Sequence, residues 1–340
     1  MSNFFDIKDK KTAVSVFSDC HMAILKFVLL SSILAGIFLF AFSNAYNMTA
    51  TEVANDPYLF AVIQVVSMYV IAFPYFCLTV RKIPKATRLK SSIGLGEFIA
   101  LFAMALASMQ IGSVISQIAS NYLTSALSFN LNYSITYSLM QSGKYLPTLL
   151  WAVILAPIVE EIMFRKILID RLSVYGDRLA IYVSAVAFGL FHGNILQVFY
   201  AILAGIILGH VYTKTRRLIY SVIIHMLVNL LGTLPSILYE MEFNVAPEGF
   251  IDTELIISNG MAPLAVLLVI ESVLILLGFV MFFVAIFNKK YRFSRECDIE
   301  IPKFKLLRVV VLNKGTLLFT AYSVLSILAL IIFELSGFNL

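Results

Sequence analysis

The chain has 340 residues, of which 60% are hydrophobic and only 13% charged, with a mean hydropathy of +0.92 and a net charge of +5. A soluble domain runs nearer a quarter charged. The composition therefore excludes an ordinary water-soluble enzyme, a disordered tail and a fibrous repeat, and leaves a polytopic membrane protein. Apolar runs of about 20 residues cross the hydrocarbon core as helices. Nine are read in chain order: about 26–45, 58–80, 94–116, 146–168, 179–194, 196–213, 218–239, 263–287 and 315–336.

The intervals between these runs alternate in charge. The N-terminal arm carries Lys8, Lys10 and Lys11; the second interval carries Arg81, Lys82, Lys85, Arg88 and Lys90. Arg171 and Arg178 follow, then Lys214, Arg216 and Arg217, then a last basic group that includes Lys289, Lys290, Arg292, Arg295 and Lys303. The other intervals are nearly free of Lys and Arg: 117–145 has only Lys144, and 240–262 carries Glu240, Glu242, Glu248, Asp252 and Glu254 instead. By the positive-inside rule this pattern predicts an all-α, polytopic transmembrane helix bundle of eight or nine spans with a cytoplasmic N-terminus. The basic balance is thus a topology signal. Nucleic acid is not a partner, because a basic face on a folded soluble module is missing.

Residues 1–25 are too long and too mixed in charge for a cleavable signal, so the first span is read as an uncleaved anchor. No linker, repeat or low-complexity tract divides the chain, which reads as a single integral-membrane domain over 1–340. Its location is multi-pass membrane, the plasma membrane in a bacterium. Cys20, Cys77 and Cys297 are scattered and odd in number, and form neither a disulfide framework nor a zinc knuckle. Sequons at Asn47 and Asn132 read as chance occurrences.

Ionisable groups inside a span are costly and point to function. The fourth span contains Pro157 and then Glu160-Glu161-Ile-Met-Phe-Arg165. Glu161 and Arg165 are i,i+4 and can pair, as a structural ion pair would. Glu160 is turned away by about 100° and is left free. The fifth run reads Phe188-Gly-Leu-Phe-His192-Gly-Asn. It has only about 13 residues before the histidine, so it stops or turns within the membrane. The seventh span carries His225 and Asn229 on one face, where interhelical hydrogen bonding is the bland alternative. His21 and His210 read as interfacial.

Counted from the inside ends, Glu160, His192, His225 and Asn229 lie roughly 10–20 Å deep and can meet in one layer. Carboxylate and imidazole can ligate zinc or another divalent metal, and Glu160, His192 and His225 are the candidate ligands. A buried glutamate can equally serve as general base on water without a metal. His225 and Asn229 can then donate to a developing oxyanion. Either route is hydrolysis of an acyl group, most simply a peptide bond.

The series Glu160-Glu161-x-x-x-Arg165, Phe188-x-x-x-His192 and His225-x-x-x-Asn229 resembles the three ordered motifs of the CPBP intramembrane protease family. That family includes type II CAAX prenyl endopeptidases and Abi-type bacteriocin-processing proteins. Ala204-Gly-Ile-Ile-Leu-Gly209 and Tyr212 are similar too, and the resemblance covers about 146–231, the motif-bearing core. It implies an integral-membrane endopeptidase acting on a peptide or protein at the membrane. Glu160 and His192 would activate the water, His225 and Asn229 would hold the oxyanion, and Glu161 and Arg165 would set the geometry. The family has been described as metalloproteases; a metal-free mechanism stays equally open. Two other classes fit less well. One is a catalytically idle scaffold or bacteriocin immunity protein; the other is a proton-coupled transporter, a class in which inverted repeats are common.

Overall fold

A computed structural model of the protein describes residues 10–127, 145–243, 256, 258–288, 293 and 296–335. Lys8, the sequon at Asn132, Lys144, the acidic Glu248, Asp252 and Glu254, and the basic Lys289, Lys290, Arg292 and Arg295 lie outside the described residues. Among the described residues, nine helices follow the nine apolar runs: α1 Lys10–Tyr46, α2 Pro57–Val80, α3 Leu95–Leu127, α4 Tyr145–Tyr175, α5 Asp177–Phe191, α6 Ile195–Thr215, α7 Leu218–Phe243, α8 Ala262–Phe287 and α9 Lys314–Leu335. Among the described residues, eight are long and apolar enough to cross a membrane. The protein is an integral multi-pass membrane protein with an all-helical bundle.

α5 is the exception. Its 15 residues extend only about 22 Å, short of a hydrocarbon core of about 30 Å. The stop is built locally. Gly193 has φ +59°, a left-handed conformation that favours glycine. Its N–H reaches the Leu190 carbonyl at 3.2 Å and ends the helix. Asn194 then caps α6, its Oδ1 accepting from Leu196 N–H at 2.9 Å. The pair α5–α6 is therefore a helical hairpin whose turn carries His192.

Two packed clusters organise the bundle. One joins α1, α2, α4, α5 and α9 through Phe17, Phe27, Phe76, Phe164, Phe188 and Phe319. The other joins α3, α6 and α7 through Leu101, Leu106, Leu208 and Ile224, with Leu274 and Ile275 of α8 packed against it. α3 and α6 approach closely where Gly112 meets the Tyr200 backbone, with no room for a Cβ. Gly112→Val is therefore expected to destabilise the protein by about 1–3 kcal/mol or more through overpacking. Thermal unfolding in detergent reads this, and an unchanged midpoint would show that the helices separate freely there.

Basic residues at the α4–α5 and α6–α7 connections do more than mark an edge. Arg216 pairs with Asp177 at 2.5 Å and lies 3.7 Å from Asp170, and Tyr212 Oη donates to Asp170 Oδ1 at 2.7 Å. Arg171 is buried and donates to the Val80 carbonyl at 2.8 Å, tying α4 to the end of α2. Arg88 pairs with Asp298 at 2.9 Å and Glu296 at 3.2 Å, and the hydrogen bond to Asp298 holds its guanidinium above the ordinary arginine value. This network clamps the ends of α2, α4, α5 and α6 and so fixes their relative heights.

His21 and His210 are both buried within the bundle. His21 Nδ1 lies 2.8 Å from the Phe17 carbonyl and 3.0 Å from Thr316 Oγ1, which makes it part of the α1–α9 contact. Cys20, Cys77 and Cys297 are free thiols.

Candidate active site

The site starts with an irregularity in α4. Residues Leu149–Leu155 run in the wider π register, in which a carbonyl meets the N–H five residues on. For Ala152 that residue is Pro157, which has no N–H. The carbonyl of Ala152 instead accepts from Asn229 Nδ2 at 2.8 Å. A proline in one span thus creates the acceptor that orients an amide on another.

After Pro157 the helix delivers two carboxylates into different surroundings. Glu161 is fully buried, and its Oε2 accepts from Arg165 Nε at 3.1 Å, with both side chains 0% exposed. Arg165 Nη1 lies 3.3 Å from Ser184 Oγ, which donates onward to the Phe164 carbonyl at 2.8 Å. The guanidinium also sits 4.9 Å from the centre of the Phe188 ring, a cation–π contact. Glu161 Oε1 faces His225 Nδ1 at 3.1 Å. A carboxylate already paired with arginine can only accept, so Nδ1 carries the proton and Nε2 turns the other way. There it faces Glu160 Oε2 at 3.7 Å.

His192 is oriented by the same logic. Its Nδ1 lies 2.8 Å from the Phe188 carbonyl, which can only accept, so this nitrogen also carries the proton. The ring packs edge-on against Phe188 at 4.8 Å between centroids. Phe188 likewise touches His225 edge-on at 5.7 Å. One aromatic ring therefore braces both imidazoles and the Arg165 guanidinium.

Glu160, His192, His225 and Asn229 all line one cavity of about 810 Å³. Glu161 and Arg165 stand behind its wall. The cavity also holds Gln64, Gln110 and Glu271, polar residues that the sequence reading did not single out. Glu271 had a signal, being the lone charged residue inside α8. The glutamines had none, because an isolated amide in a span does not reveal which way it points.

The sequence offers Glu160, His192 and His225 as candidate metal ligands. Among the described residues no group of three or more His, Cys, Asp or Glu side chains is gathered to hold an ion. Glu160, His192 and His225 share a cavity wall, and a protein acceptor holds Nδ1 of each histidine, which leaves Nε2 of each as the nitrogen that a metal would use.

Residues 142–231 match the family model described as Rce1-like, type II CAAX prenyl endopeptidase Rce1-like. This segment is an Rce1-like domain. Its limits enclose α4 through most of α7 and every side chain of the motif triplet. No curated protein and no solved structure matches the chain. At the family level an Rce1-like domain is a CAAX-type intramembrane protease. Here it is embedded among membrane helices that contribute cavity wall from outside the matched residues, including Gln64, Gln110 and Glu271.

Proposed function

We propose that the protein is an intramembrane endopeptidase that hydrolyses a peptide bond of a membrane-associated protein or peptide by glutamate-assisted attack of water. The observation that carries this reading is the division of labour between adjacent carboxylates: Glu160 opens onto the cavity, while Glu161 is sealed behind it with Arg165. In this reading Glu160 takes a proton from the attacking water. His192 offers the lone pair of Nε2 to the same water, because its Nδ1 proton is held by the Phe188 carbonyl. As the carbonyl carbon becomes tetrahedral, its oxygen gains charge, and Asn229 and His225, acting as an imidazolium with a second proton on Nε2 beside the Nδ1 proton held by Glu161, stabilise it. The proton held at Glu160 then passes to the leaving amine, which breaks the C–N bond. Glu161 and Arg165 act as positioning residues through His225.

Purified full-length protein in liposomes, incubated with membrane peptides both prenylated and unprenylated, tests the reading. New peptide termini found by mass spectrometry are expected with the wild-type chain and absent with His192→Ala. Identical termini from both proteins would reject the site. Asn229→Ala is expected to lower kcat by about 10²–10³-fold with KM little changed, as loss of one oxyanion donor does. A purely larger KM would instead assign Asn229 to ground-state binding.

A further inference from the structure

Glu271 lies outside the Rce1-like domain and is the only charged residue of α8. It sits nine residues into the helix, roughly 14 Å from its N-terminal end. A carboxylate at such depth is costly and normally has a partner. Among the described residues, no hydrogen bond or ion pair engages it. Its direction is set by packing. Gly278 presses against the Ala103 carbonyl of α3 so closely that a Cβ would overlap it. Glu271 is seven residues before Gly278 on α8 and therefore on the same face. α3 runs antiparallel to α8, so the residue opposite Glu271 is seven beyond Ala103, which is Gln110. Both Glu271 and Gln110 line the 810 Å³ cavity, as does Thr233, one turn beyond Asn229 on α7.

We propose that Glu271 forms a subsite that takes a cationic side chain, lysine or arginine, of the peptide whose scissile bond lies at Glu160. The inference deepens the protease reading and rests on it. An ammonium or guanidinium has donors only. A carboxylate that shares its cavity with the acceptor oxygens of Gln110 and Thr233 complements it, and the ion pair supplies the partner that Glu271 lacks among the described residues. The subsite selects substrates by charge: a neutral side chain of equal length leaves the carboxylate unpaired in the membrane, whereas a cation satisfies it.

Capture by the full-length Glu160→Ala protein, which holds peptides without cutting them, tests the subsite. The probe is a library of apolar 20-residue peptides in detergent, carrying lysine, arginine, norleucine or glutamate at each position in turn. Lysine and arginine peptides are expected to be captured at least about tenfold better than norleucine ones at one or two positions. Glu271→Gln on the same background should bring that ratio to about one, and Glu271→Lys should shift capture to glutamate peptides. Equal capture of lysine and norleucine peptides, or a preference that survives Glu271→Gln, overturns the proposal. Cleavage is scored separately with Glu160 restored. Peptides captured by charge but never cut reject the protease reading and leave the subsite standing; peptides cut without charge preference do the reverse.

Discussion

Glu160→Gln is expected to lower peptide cleavage by about 10²–10⁴-fold, the range for removing a general base. The substitution keeps the size and shape of the side chain, so the cavity wall is preserved and only the proton acceptor is lost. Stability should hardly change, since Glu160 faces the cavity while the buried pair behind it stays intact. The two measurements together separate chemistry from folding: single-turnover cleavage of a peptide identified in liposomes, and thermal unfolding of the same preparation in detergent. Retained cleavage at an unchanged melting point would remove Glu160 from the mechanism. A collapsed melting point would make it a structural residue instead.

Arg165→Met is expected to produce the largest loss of stability, about 3–5 kcal/mol, because it strands the charge of Glu161 in a fully buried site. The Coulomb attraction between the two is large only because water is absent, and the same absence makes either partner expensive alone. Adding Glu161→Gln should recover much of that loss, since replacing both members of a buried pair is far milder than removing one. Cleavage should not recover with it. Without a carboxylate accepting at 3.1 Å, His225 loses the contact that fixes its Nδ1 proton and aims Nε2 toward Glu160. A double variant that regains both stability and activity would show that Glu161 and Arg165 do nothing for the site beyond holding it folded.

Much of this arrangement is legible before any coordinates. The i,i+4 spacing of Glu161 and Arg165 announces their pair, and the shortness of the run before His192 announces a helix that ends early. Gly193 and Asn194 carry the turn chemistry that ends one helix and caps the next. The illegible parts are those where direction matters more than identity. His21 and His210 sit near the ends of their apolar runs in sequence, which does not reveal that packing buries both rings. Arg171 and Arg216 count as basic flanks in sequence, yet in space Arg171 is held by the Val80 carbonyl and Arg216 is paired with Asp177. Three polar groups at similar depth suggested a metal set, but depth along a helix says nothing of how side chains converge, and among the described residues no three ligating side chains are gathered.

The amino-acid sequence by itself determined the class, the helices and the chemically active residue types, because hydrophobic length, charge scarcity and i,i+4 periodicity are local properties of the chain. Only the tertiary structure decided that Glu160 opens to the cavity while Glu161 is sealed, and that the carbonyl left over by Pro157 holds Asn229. It also turned Glu271, outside the Rce1-like domain, toward the same space. Those outcomes depend on the rotation and height of each helix against its neighbours, and packing between distant segments sets both.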